Sequence, residues 1–153
     1  MDPLVETWLI NASMNEYLLK GIPEAHLKDI AVSKGRNVGE QFAHIHNVRL
    51  MWIKASMPEL LLSQKKFEKE NPPSKNDLLV EFRNSSKAIE EIIKTGLQTG
   101  RVKGFKPHTH AFVGYLIAHE AHHRGQAIQT LKENGHLPDK KILFGLWEWG
   151  TPK

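Results

Sequence analysis

Apolar residues recur at helical rather than strand spacing along the chain, and start and stop signals divide it into four segments. Asp2-Pro3 reads as an N-cap followed by proline in the first turn, where its missing N–H costs nothing. Leu4, Val5, Trp8, Leu9 and Ala12 follow on one stripe, and Gly21 with Pro23 closes the segment. The second helix opens at Asn37, with Glu40 three residues on as a capping box. It stops before Pro58, because the residue preceding a proline avoids helical backbone angles. A connection bearing lysines and Asn71-Pro72-Pro73 leads to Ser74 and Asp77, a further N-terminal cap. The third helix then carries Leu78, Leu79, Phe82, Ile89, Ile92 and Ile93 to about Gly96. Gly100, Gly104 and Pro107 mark a loop, and the fourth helix runs from about Thr109 to Asn134-Gly135, with Pro138 beyond. No segment alternates as a strand. Four helices, each with one apolar stripe, predict an all-α four-helix bundle that buries the stripes together. The tail Ile142–Trp149 is too apolar to float and is expected to pack across the bundle or at an interface.

Composition narrows the function classes. A length of 153 residues predicts a single domain spanning 1–153. The absence of cysteine excludes disulfide scaffolds, cysteine-based zinc fingers, iron–sulfur clusters and thiol nucleophiles. No apolar stretch approaches about 18 residues and no basic start precedes an apolar run. The expectation is therefore a cytoplasmic protein with no membrane partner. The net charge of +4 is spread along the chain without a basic stretch interleaved with aromatics, which argues against a nucleic-acid partner.

Histidine is the unusual residue: nine occur, five of them between His108 and His123. His119 and His123 lie one helical turn apart, with Cβ atoms roughly 5–6 Å from each other, a separation at which two imidazoles can share one divalent ion. Phe112, Tyr115, Leu116, Ala127 and Thr130 share their side, so the pair projects from a mostly apolar stripe. A third ligand is available on the second helix. His44 shares a face with Val48, Met51 and Ala55, and His46 the opposite face with Phe42, Leu50 and Ile53, and periodicity does not choose between them. Three neutral imidazoles suit Zn, Ni, Fe or Cu and leave positions open for water or substrate. Because imidazole binds metal only when neutral, affinity is expected to fall below about pH 6.5. His26, His108, His110 and His136 read as surface or capped residues, and His122, about 60° from His119, as a hydrogen-bonding or partly exposed neighbour. His119-Glu120-Ala121-His122-His123 also matches the zinc-peptidase pattern H-E-x-x-H, in which the glutamate is a general base. The extended form fails, since Gln126 and Gln129 stand where its glycine and third histidine belong.

Three stretches together resemble the DinB-like metal-binding four-helix bundles, related to the YfiT-like metal-dependent hydrolases. Arg36 to Ile45, followed by Val48, Arg49 and Trp52, is similar to that family's second helix with its first histidine ligand. His119-Glu120-Ala121-His122-His123-Arg124-Gly125-Gln126 is similar to its HxxxHRGQ segment, and Gly135 to Pro138 with Gly145 to Gly150 to its C-terminal closure. The resemblance implies a divalent-metal site of His44, His119 and His123 holding Zn, Ni or Fe, with His44 favoured over His46. It also implies an up-down-down-up bundle and a homodimer. Arg124, Gly125 and Gln126 would be packing or supporting residues, Gly125 permitting close helix approach and Gln126 orienting a ligand or water.

Two function classes lead, ahead of nucleic-acid binding, which the family's name and the basic charge suggest and salt-dependent retention on DNA would test. The first is a metal-dependent hydrolase or low-molecular-weight-thiol S-transferase acting on a small-molecule substrate. Glu120 is the carboxylate beside the ligands that can be considered as a base, and Trp52, Phe112 and Tyr115 suggest an apolar pocket. No catalytic residue is assigned. The second is a non-catalytic, metal-stabilised stress-related or interaction module, in which the ion only ties the second and fourth helices together.

Overall fold

The computed structural model describes residues 1–153, and the chain is all-helical. Four long helices, α1 (Pro3–Lys20), α2 (Val38–Ser56), α3 (Lys75–Thr99) and α4 (Thr109–Glu133), are followed by a short α5 (Lys140–Gly145). Single 3₁₀ turns at Glu24–Lys28 and Pro58–Ser63 interrupt the connections on either side of α2. The expected start signals operate as caps. Asp2 accepts from the Leu4 N–H at 2.8 Å, Asn37 and Glu40 form a reciprocal capping box, and Ser74 accepts from Asp77. The start of α4 carries a cap the sequence did not announce: the His108 imidazole accepts from the Ala111 N–H at 3.1 Å.

α3 runs past the expected stop at Gly96 and ends at Gly100, whose left-handed backbone (φ 90°) closes the helix. Gly96 serves a different purpose. A Cβ there would lie 2.8 Å from Thr109 Oγ1 and 3.0 Å from Val102, so the missing side chain lets α3 approach the start of α4.

Each of α1 and α2 packs against both α3 and α4. The apolar core forms two clusters, one around Trp8, Ile53, Ile89 and Phe112, the other around Leu18, Phe42, Phe82 and Leu131. A polar layer lies where they meet. The Arg49 guanidinium sits 4.8 Å from the Trp8 ring and 5.2 Å from the Phe82 ring, one from each cluster.

The tail packs on one side only. Ile142 closes over Gly21 and Gly145 over the Tyr17 ring, while Tyr17 donates its hydroxyl to the Lys141 carbonyl. Phe144 and Trp147 remain exposed. No helix is long and apolar enough to cross a membrane.

Candidate metal centre

The site is assembled from two helices. On α4, the i, i+4 spacing aligns His119 and His123, with ring centroids 4.6 Å apart. From α2, His44 reaches the same point, 5.3 Å from the His119 ring and 4.5 Å from the His123 ring. One ring nitrogen of each lies within 4.8 Å of those of the other two, close enough to hold one metal ion. His123 is buried, and His44 and His119 are half-buried at the edge of the core.

The donor set fits a cation. His123 Nδ1 donates to the Gln41 side-chain carbonyl at 2.7 Å, which fixes the ring and leaves Nε2 with its lone pair. His119 Nδ1 is buried without any hydrogen-bond partner, an uncommon condition for a buried nitrogen. Burial lowers the proton affinity of all three rings; Arg36 and His119 add to it at His44, while at His119 the Glu120 charge opposes it and His122 and Arg36 add to it. His123 is pushed down to about 4, by burial first and then by His119 and His44. The imidazoles therefore stay neutral, and able to donate lone pairs, below the pH 6.5 onset expected of ordinary histidines.

His46, the rival on α2, points into the core. Its Nε2 donates to the Lys65 carbonyl at 2.8 Å and its Nδ1 accepts from the Ser85 hydroxyl at 3.0 Å, so neither nitrogen is free. Full burial, with Arg49 nearby, pushes its pKa down to about 4 against the opposing hydrogen bond to Lys65. The unfolded chain takes up this proton near pH 6.5 and the folded chain does not. Stability should therefore fall as pH drops from 6.5 toward 4, with His46 contributing up to about 3 kcal/mol. Urea unfolding at pH 7 and pH 5 should show that loss reduced in His46→Gln. An unchanged pH dependence in that variant would contradict this assignment.

Glu120 is not placed to act as a base. It is buried, and its carboxylate takes Arg49 Nε at 2.7 Å and Arg49 Nη2 at 2.9 Å. Asn11 and Asn15 donate to it at 2.8 and 2.7 Å. Burial alone would raise its pKa, but the charge and hydrogen bonds of Arg49, with Asn15 and Arg124, hold it below the usual carboxylate range. The spacing to the ligands is that of a peptidase helix; what differs is the partners, because Asn11 and Asn15 of α1 and Arg49 of α2 occupy the carboxylate. Arg124 completes the layer by donating to the Asn11 and Asn15 side-chain oxygens at 3.1 and 2.8 Å.

Three other expectations are corrected. Gln126 is exposed and lies 3.1 Å from His122, so it does not orient a group at the triad. Gly125 faces open space, with no part of the chain approaching it. Trp52, Phe105, Phe112 and Tyr115 pack against one another at ring distances of 5.4–5.7 Å, which makes them a filled aromatic cluster rather than a pocket.

Gln41, which supports His123, was not singled out from the sequence. It lies three residues before His44, so helical spacing puts it beside that histidine once His44 is placed at the site.

The family model described as "DinB family" matches residues 1–141, nearly the whole chain. The chain belongs to the DinB family. No curated protein matches it. DinB-family membership agrees with the all-helical architecture and with the stretches from Arg36 to Trp52 and from His119 to Gln126, both of which fall inside the match.

Proposed function

We propose that His44, His119 and His123 bind one divalent metal ion, and that the chain is a metal-dependent hydrolase or small-thiol transferase. The observation that carries the reading is three ring nitrogens within 4.8 Å of one another, drawn from two helices, with the buried His119 Nδ1 unpartnered. Three imidazoles leave coordination positions for exogenous groups. A divalent ion there supplies Lewis acidity that makes water or a thiol nucleophilic near neutral pH.

The chain's own residues supply the frame. Gln41 sets the His123 tautomer, and the Arg49–Glu120 ion pair ties α4 to α2 through the residue that follows His119. The same helix-to-helix bridging underlies the second reading, in which the ion ties α2 to α4 without turnover. Screening metal-loaded protein against ester, amide, epoxide and thiol-acceptor panels separates the two. Multiple turnover abolished by a chelator and restored by metal supports the enzyme. Chelator-sensitive stability with no turnover on any panel supports the module.

A further inference from the structure

A cleft of about 950 Å³ runs along the first half of α2 and reaches the triad through His44. Six charged side chains line it: Glu24, Glu40 and Glu68 against Lys28, Arg36 and Lys69. The charges balance in number, and two of the three carboxylates are held in place by backbone N–H groups. The Glu24 carboxylate accepts the Lys75 backbone N–H at 3.1 Å, and the Glu40 carboxylate accepts the Asn37 N–H at 3.3 Å in the capping box. None of the three cations takes part in any of the chain's ion pairs.

Arg36 differs from the other two. It alone of the three adjoins α2, the helix that carries His44, standing one residue before the Asn37 cap in the cleft that His44 also lines. Its backbone is also anchored, since the capping box at Asn37 and the hydrogen bond from Val38 N to the Asp29 carbonyl at 3.0 Å follow immediately. A free guanidinium in the same cleft as His44 opposes the arrival of a divalent ion at the triad. An anion between them reverses that effect, because it is attracted by both. Guanidinium geometry suits a carboxylate or phosphate through two parallel hydrogen bonds.

We propose that Arg36 is the specificity-determining residue for an anionic small-molecule substrate. Its carboxylate or phosphate group would dock on Arg36 in this cleft while its reacting end lies at His44. The inference rests on the metal-binding reading above and adds the substrate class.

The test uses the full chain loaded with Co²⁺ and titrated with succinate or inorganic phosphate at fixed low ionic strength. Binding is followed by calorimetry and by the visible absorption of the cobalt, and the two probes distinguish a carboxylate site from a phosphate site. At least one anion should bind and shift the cobalt spectrum. Arg36→Gln should weaken that binding at least tenfold with cobalt content unchanged, Arg36→Lys should recover part of it, and Lys106→Gln, in a different cleft, should leave it intact. Equal affinity in Arg36→Gln and the unaltered chain, or no binding of either anion to the cobalt-loaded chain, would overturn the proposal while the metal site stands. Binding unaffected by stripping the metal would also overturn it, since the anion would then not lie at the triad. Failure of the unaltered chain to take up cobalt would remove the metal reading and this one with it.

Discussion

Glu120→Ala should lower the unfolding free energy by about 3–5 kcal/mol, read as the urea midpoint at pH 7 with an unchanged denaturant slope. The size follows from what would be left behind: a guanidinium buried between Trp8 and Phe82, with its carboxylate partner gone and only neutral acceptors, the Phe82 carbonyl and Ser85, remaining. Asn11 and Asn15 would each lose an acceptor as well. Glu120→Gln, which keeps the shape and removes the charge, gives a milder version if the alanine variant does not fold. Replacing both partners, Arg49→Met with Glu120→Leu, should recover part of the loss, because the Arg49 charge is then no longer buried unpaired while Arg124 keeps only the Asn11 and Asn15 oxygens. A Glu120→Ala chain as stable as the parent would show that the carboxylate is not committed to the core, and would reopen its use as a base.

The second large effect concerns metal. An ion that binds the folded chain and not the unfolded one stabilises it by RT ln(1 + [L]/Kd), about 4 kcal/mol at a thousandfold excess over Kd. Saturating Zn²⁺ or Ni²⁺ should raise the unfolding free energy by that order, and a chelator should remove the gain. His44→Ala should lose most of it, because the two histidines left on α4 can hold an ion but cannot bridge to α2. Equal stabilisation of the parent and His44→Ala would mean that metal binds elsewhere.

The sequence revealed the half of the site that lies on one helix and only part of the other half. His119 and His123 are one turn apart on α4, so local geometry alone pairs them. The contribution of α2 depends on how that helix is rotated. Both of its faces are apolar because α3 packs on one side and α4 on the other, and periodicity then gives His44 and His46 equal standing. The resemblance broke the tie, and the structure supplies the reason: His46 is saturated by Ser85 and Lys65, contacts 39 and 19 residues distant along the chain. Glu120 is a similar case. Its neighbours in sequence suggest chemistry, while its partners in space, on α1 and α2, make it part of the core. Helix boundaries followed where caps are local, as at Asp2 and Asn37. They slipped at Gly96, where a glycine usually read as a stop instead marks close helix approach.

The most direct measurement is the metal-to-chain ratio after loading with Zn²⁺ and removal of free ion, compared across the parent, His44→Ala and His46→Gln. The account requires about one ion per chain in the parent and in His46→Gln, and close to none in His44→Ala. A parent chain without metal, or one whose metal survives loss of His44 and disappears with His46, would contradict it.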